Sequence, residues 1–124
     1  QEHTKRWAAE IARFDGFVFV TPEYNHGLPA ALKNAIDFIF AEWGNKAAGF
    51  VSYGSAYGVR AVEQLRLVLS EVSVATVRPQ VMMSLFEDFR DFSEFTPHER
   101  HEAVLVTVFD QLESWAAALK PLRQ

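Results

Sequence analysis

Two short stretches gather the side-chain types from which a ligand site can be made. The first, Thr21-Pro22-Glu23-Tyr24-Asn25-His26-Gly27-Leu28, combines a rigid proline, an aromatic face and amide groups with a glycine close behind. The second, Ser52-Tyr53-Gly54-Ser55-Ala56-Tyr57-Gly58, combines two glycines that admit close backbone approach with two hydroxyls and two phenol rings. Together they suit a flat heteroaromatic ligand. One loop offers a stacking surface and edge hydrogen bonds, and the other brings backbone N–H groups up to the ring. Other chemistries fit these residues less well. A serine nucleophile elbow needs Ser at the centre of Gly-x-Ser-x-Gly, and Ala56 stands there, which disfavours a hydrolase acting through Ser55. His98-Glu99-Arg100-His101-Glu102 lacks the histidine spacing of a zinc helix and reads as a solvated helix start. The chain has no cysteine, which excludes disulfides, thiol nucleophiles and thiolate metal sites.

Several single residues carry two readings. Glu23 is either an acid at the site or a cap-like group on its loop. His26 is a ligand contact or a surface side chain. Arg60 faces a nucleotide phosphate or pairs with a helix carboxylate. Phe86, Phe89, Phe92 and Phe95 are core or dimer packing, or a lid over substrate.

The elements that must position these loops follow from periodicity. Trp7, Ile11 and Phe14 fall at helical spacing, and Asp15-Gly16 stops that helix. Phe17 to Val20 is an unbroken apolar run of β-formers, expected for a strand covered on both faces of a parallel sheet. After the first loop, Pro29 sits where a helix begins, and apolar residues from Ala31 to Trp43 recur with a period near 3.6 until Gly44 and Asn45. Gly49 to Ser52 is the next strand. Val59, Val62, Leu65, Leu69 and Val72 form the stripe of a following helix. Val74 to Met83 is a third strand broken by Pro79, which belongs at an edge or bulge. Ser84 to Phe95 reads as a lid-like loop or a short helix. Thr96-Pro97-His98-Glu99 is a capping box that opens a final helix running towards Leu119.

This alternation argues for an α/β layer fold with a parallel sheet, within one domain covering 1–124. In such sheets ligands bind beyond the carboxyl ends of the strands, where both loops fall. The composition supports a packed core, with 49% hydrophobic residues and 11 Phe. Sixteen acidic against twelve basic residues give a net charge of −4, with no basic stripe for nucleic acid. No apolar run approaches the ~20 residues that span a bilayer, so the expectation is a soluble, cytoplasmic protein.

The run TPEYNHGLPAALKNAIDF, followed by a short strand, SYGSAYG and Arg60, resembles the flavodoxin-like NAD(P)H-dependent FMN reductase family, which includes azo-, quinone- and chromate-reducing members. The resemblance covers about Phe14 to Pro79. It implies a doubly wound parallel sheet of order 2-1-3-4-5, FMN as cofactor, NAD(P)H as hydride donor, a small-molecule electron acceptor, and a homodimer or higher homo-oligomer. Carried over residue by residue, it implies that Pro22, Glu23, Tyr24 and Asn25 lie against the isoalloxazine ring, and that Tyr53, Gly54 and Ser55 form the second flavin-contacting loop. Gly58 and Arg60 match the pattern structurally. Family members often have a second Gly where this chain has Ser55. The phosphate-binding βαβ unit with which the family begins does not precede Gln1 here. The expectation is therefore a sheet with an open edge beside the Phe17–Val20 strand, in a fragment or in a chain covered by another. A non-catalytic remnant or dimerisation module that binds no FMN is the alternative reading.

Overall fold

The computed structural model describes all residues from 1 to 124. In chain order the elements are α1 (Glu2–Ala12), β1 (Gly16–Pro22), α2 (Ala30–Asp37), β2 (Lys46–Gly54), α3 (Val59–Glu71), β3 (Val74–Thr76), β4 (Val81–Ser84), β5 (Phe89–Arg90), β6 (Glu94–Phe95) and α4 (Arg100–Leu119). Short 3-10 turns occupy Ala41–Trp43 and Lys120–Arg123. β2 is the central strand and runs parallel to every neighbour: β1 on one side, β3 and then β4 on the other. The expected α/β class with a parallel sheet is what forms.

Alternation along β2 divides the core into two layers. Ala48 and Phe50 face α1, α2 and α3, where Ile11, Ile36, Trp43, Val62, Leu65 and Leu69 are buried around them. Val51 and Tyr53 face α4, where Val108 packs with Val77, Val81 and Met83. Gly49 lets α4 lie close against the central strand, since a Cβ there would stand 2.7 Å from Val108 Cγ1.

β1 pairs on one edge only, and its burial departs from expectation. Phe17 and Phe19 pack into the first layer, but Val20 is 64% exposed. α4 meets β1 near its start, beside Gly16, where a Cβ would lie 3.2 Å from Leu112 Cδ1, and the far end of that face stays open. β2 is longer than Gly49–Ser52 because it pairs with β3 from Lys46 and with β1 from Ala47. Lys46 is buried at that start, and its ammonium donates to the Ile11 carbonyl at 2.9 Å, at the negative end of α1.

The third strand divides in two. Lys46 pairs with Val74 and Val51 with Val81, so the outer strand spends two more residues than β2 over the same span, and Pro79 lies in this bulge. The bulge is held from α3. Arg66 donates to Thr76 Oγ1 (3.0 Å), the Val77 carbonyl (2.9 Å), the Arg78 carbonyl (3.2 Å) and Gln80 Oε1 (2.7 Å), with its guanidinium over the Phe50 ring.

The helix expected to reach Trp43 stops at Asp37, and Pro29 is its cap, in extended conformation, not its first residue. Two indoles explain the stop. Trp7 Nε1 donates to the Ala35 carbonyl (2.7 Å) and Trp43 Nε1 to the Ile36 carbonyl (3.0 Å), which satisfies acceptors that a longer helix would have used. Trp43 can reach back only because the chain turns at Phe40, which leaves Phe38 and Phe40 exposed. Phe14, past the end of α1, is also exposed and carries Arg13 over its ring.

From Ser84 to Phe95 the chain forms neither lid nor helix but a two-strand hairpin, turned by Asp91 and Phe92 with φ of 52° and 59°. Asp88 organises the passage from this hairpin into α4. Its carboxylate, fully buried, accepts the amides of Ser84 (2.7 Å) and His98 (2.8 Å) and the Nε2–H of His101 (2.9 Å), and its carbonyl accepts the Thr96 amide (2.8 Å). The Thr96–Glu99 box is not used. α4 begins at Arg100, whose amide donates to His98 Nδ1 at 3.1 Å. His101, expected in solvent, is 9% exposed.

Burial alone would raise the Asp88 carboxyl, but the His98 and Ser84 amides and the His101 ring outweigh it and hold the pKa below the ordinary aspartate value of 3.8. A depressed folded-state pKa gives stability that is complete above the unfolded value and lost as pH falls through the folded one. Asp88→Asn should therefore cost about 2–3 kcal/mol at neutral pH, because one amide loses its acceptor. In urea unfolding the gap between wild type and variant should narrow as the pH drops below 3.8; a gap constant with pH would refute the charge-based account.

Candidate functional site

The parallel register decides which loops can share a ligand. Thr21 stands beside Ser52 and Pro22 beside Tyr53, so the two loops leave the sheet next to each other at its carboxyl edge. The first is a tight turn. Tyr24 and Gly27 exchange both backbone hydrogen bonds at 2.9 Å, while Asn25 and His26 between them have φ of 49° and 69°. Asparagine tolerates that left-handed conformation well, which suits Asn25 to its place. Gln64 of α3 brackets the turn: its Oε1 accepts the Leu28 amide (3.3 Å) and its Nε2 donates to the His26 carbonyl (3.2 Å).

The second loop folds back on itself. Ser52 Oγ donates to the Tyr57 carbonyl at 2.7 Å, and the Gly54 carbonyl accepts the amides of Tyr57 (3.2 Å) and Leu85 (3.1 Å). Gly58 has φ of 71°, and a Cβ on it would lie 2.7 Å from Ser52 Cβ and 2.8 Å from the Tyr53 amide nitrogen. Only glycine fits there.

Glu23 joins the loops. Its side chain is 5% exposed, and its carboxylate accepts the first amides of α3, from Arg60 (2.9 Å) and Ala61 (3.1 Å), together with Arg60 Nε (2.5 Å). The carboxylate thus sits on the positive end of α3 and beside a guanidinium. Burial would raise its pKa, yet the Arg60 side chain and the two amides together lower it. Of the two readings open for Glu23, the geometry builds the cap. Arg60 is committed to this ion pair, though its partner is a loop carboxylate and not one on a helix.

Among the other expected residues, Pro22 ends β1 and is half-buried, Tyr24 and Asn25 are exposed at the turn, Gly54 is buried, and Ser55 is exposed with no base hydrogen-bonded to its hydroxyl. Tyr53 is half-buried against Phe89, with ring centroids 6.2 Å apart. Of the rings on the two loops, Tyr24 and Tyr57 are the exposed ones. The amides of Asn25, His26, Ser55 and Ala56 bond to nothing in the protein, which leaves free N–H donors on two adjacent loops. Sequence reasoning missed Gln64, which lies just off the apolar stripe of α3 and carries no motif, and it missed that Tyr57 with φ of 64° must precede Gly58 for the loop to close.

Residues 1–88 match the family model described as NADPH-dependent FMN reductase. An NAD(P)H-dependent FMN reductase of Schizosaccharomyces pombe is 47% identical over 85 residues, covering 67% of this chain and 42% of the relative. A quinone reductase of Pseudomonas putida is 32% identical over 126 aligned positions, covering 92% of this chain and 65% of that one. The chain therefore spans less than half the length of the fungal relative. Among solved structures, FerB, a flavoenzyme NAD(P)H:(acceptor) oxidoreductase from Paracoccus denitrificans, superposes with a TM-score of 0.72 at 22% identity, over 96% of this chain and 70% of its own, a likeness of fold. The family match covers the sheet, α1 to α3 and both carboxyl-end loops, and on that extent the chain belongs to the NADPH-dependent FMN reductase family.

Proposed function

We propose that this chain carries the ring-binding loops of an FMN-dependent NAD(P)H oxidoreductase. The observation that carries the reading is the pair of adjacent loops with unpartnered amide donors and exposed tyrosine faces, the first hydrogen-bonded to α3 and the second running into it. That donor set fits the carbonyl- and nitrogen-rich edge of an isoalloxazine. FMN, when bound, supplies hydride acceptance from NAD(P)H and onward transfer to a quinone, azo compound, metal oxyanion or second flavin.

The protein's part is to bind and orient. Pro22 stiffens the exit from β1, Tyr24 and Asn25 offer a face and amides, and Gly54 and Ser55 bring the second loop's backbone to the ring. Tyr53 supports that loop from below against Phe89. Glu23 belongs to the site as its anchor: with its carboxylate taken up by α3, it is no proton donor at neutral pH, and the hydride step requires none. Quinone reductases among the relatives support a small-molecule acceptor. No helix is long and apolar enough to cross a membrane. The same reading takes residues 1–124 as part of one cytoplasmic flavodoxin-like domain that pairs with a second copy, a pairing supported by the exposed Phe38 and Phe40 beside α2.

Titration with FMN, followed by flavin fluorescence and native mass, should saturate at one FMN per chain. A folded, colourless protein that never binds would instead support a scaffold that keeps the sheet without the chemistry. Glu23→Ala should weaken FMN binding about tenfold, or ~1.4 kcal/mol. It should also speed hydrogen exchange at the Arg60 and Ala61 amides, with a stability loss of about 1–2 kcal/mol from the missing cap. Unchanged affinity with fast exchange at those amides would show that the loop does not depend on its anchor.

A further inference from the structure

A second concavity lies on the face of the sheet that α4 covers. It is a hollow of about 380 Å³ between the β5–β6 hairpin, the start of α4 and the face of β2 and β4, and it shares no residue with either loop. Its size is that of a small-ligand pocket. Val51, Val81 and Met83 form its floor, and Phe95 and Leu105 its sides.

One nearly buried polar side chain, His101, borders this apolar space. A carboxylate can only accept, so the 2.9 Å contact with Asp88 requires the hydrogen to sit on His101 Nε2. In the neutral ring Nδ1 then carries a lone pair. Nδ1 has no partner in the protein, yet no unpartnered side-chain nitrogen or oxygen is sealed from solvent anywhere in the structure. Nδ1 is therefore reachable, and the ring that carries it is part of the lining of the hollow. Asp88, itself held by the Ser84 and His98 amides, fixes both the tautomer and the angle of the ring before any ligand arrives. At the rim stand the exposed His98, whose Nδ1 is taken by the Arg100 amide, and the carboxylates of Glu99 and Glu102, which disfavour anions.

We propose that this hollow binds a neutral hydroxyaromatic molecule, with its ring against the apolar walls and its O–H donated to His101 Nδ1. Quinones and aryl ethers, which only accept, leave that lone pair unsatisfied and are discriminated against. Met83 suits the task, since a thioether packs well against an aromatic ring. Hydroquinones belong to the favoured class, so the site would retain the reduced product of a quinone acceptor and not the acceptor itself. That last connection alone rests on the proposed flavin function.

The test is a titration of the whole chain, without FMN, with para-cresol, its methyl ether and para-toluate, followed by backbone amide NMR. Para-cresol should give saturable shifts centred on Val81, Phe95 and Leu105. The ether should bind about tenfold more weakly, the loss expected where one sheltered hydrogen bond goes unmade. Toluate should not bind. Leu105→Trp should fill the hollow and abolish binding while the amide spectrum stays dispersed. Equal affinity for cresol and its ether, saturation elsewhere, or no saturation would overturn the proposal, and the cresol–ether comparison decides it even where the tryptophan variant fails to fold. Because no flavin is present, failure here leaves the flavin reading untouched.

Discussion

The buried carboxylate of Glu23 does two jobs that could conflict, and the rest of the site depends on their agreeing. It closes the N-terminus of α3 by accepting the Arg60 and Ala61 amides, and it fixes the loop after β1 relative to the loop after β2. A helix start needs an acceptor, usually a Ser, Thr, Asp or Asn at the cap position. Here that position is Gly58, which has no side chain and could not have one at 2.7 Å from Ser52 Cβ. The acceptor has to come from elsewhere. Taking it from the neighbouring strand's loop converts a local requirement of the helix into a tertiary tie, so the second loop closes tightly and the first is held in place by the same constraint. Arg60 adds the counter-charge that lets a buried carboxylate remain ionised.

The same logic extends through the sheet. α3 supplies Gln64 to the first loop, the Arg60 and Ala61 amides to Glu23, and Arg66 to the bulge between β3 and β4. One helix thus ties three segments that enter or leave the sheet on either side of β2. Its apolar face, with Val62, Leu65 and Leu69, sets its height above the strands, and its polar residues set their register. The bulge matters because it adds two residues to the outer strand before Val81, which brings Ser84 level with Gly54 and lets the Leu85 amide reach the Gly54 carbonyl. Without that accommodation the second loop would lose a support on the side away from β1.

How much of this is legible in the sequence depends on the range of the interactions. Strand and helix identities rest on periodicity, which is local, and the parallel order comes from their alternation. The two carboxyl-end loops were legible as loops for the same reason: Pro22, Asn25, Gly54 and Gly58 mark backbone behaviour that residue type alone announces. Glu23 was legible as a choice between two roles, and only its distance to α3 separates them. The end of α2 was not legible. Nothing in the apolar period near Phe38 to Trp43 says that two indoles will take the carbonyls of Ala35 and Ile36, because one of those donors, Trp7, comes from a different helix.

The start of α4 shows the limit most sharply. Thr96 and Glu99 satisfy the local rule for a capping box, yet the helix starts later, because an acceptor thirteen residues before His101 outcompetes them. Asp88 can do so only because it is buried with four contacts converging on it, and its neighbours in sequence, Glu87 and Phe89, give no sign of that. A local capping signal is worth about 1 kcal/mol. A buried carboxylate left without its partners costs several times as much, so the long-range arrangement prevails. The reversal also explains why His101 looks solvated by composition. In HERHE every neighbour is charged or polar, and the one turned inward is the residue that Asp88 selects. It is this choice, made by a group outside the motif, that places an imidazole in the lining of a largely apolar hollow.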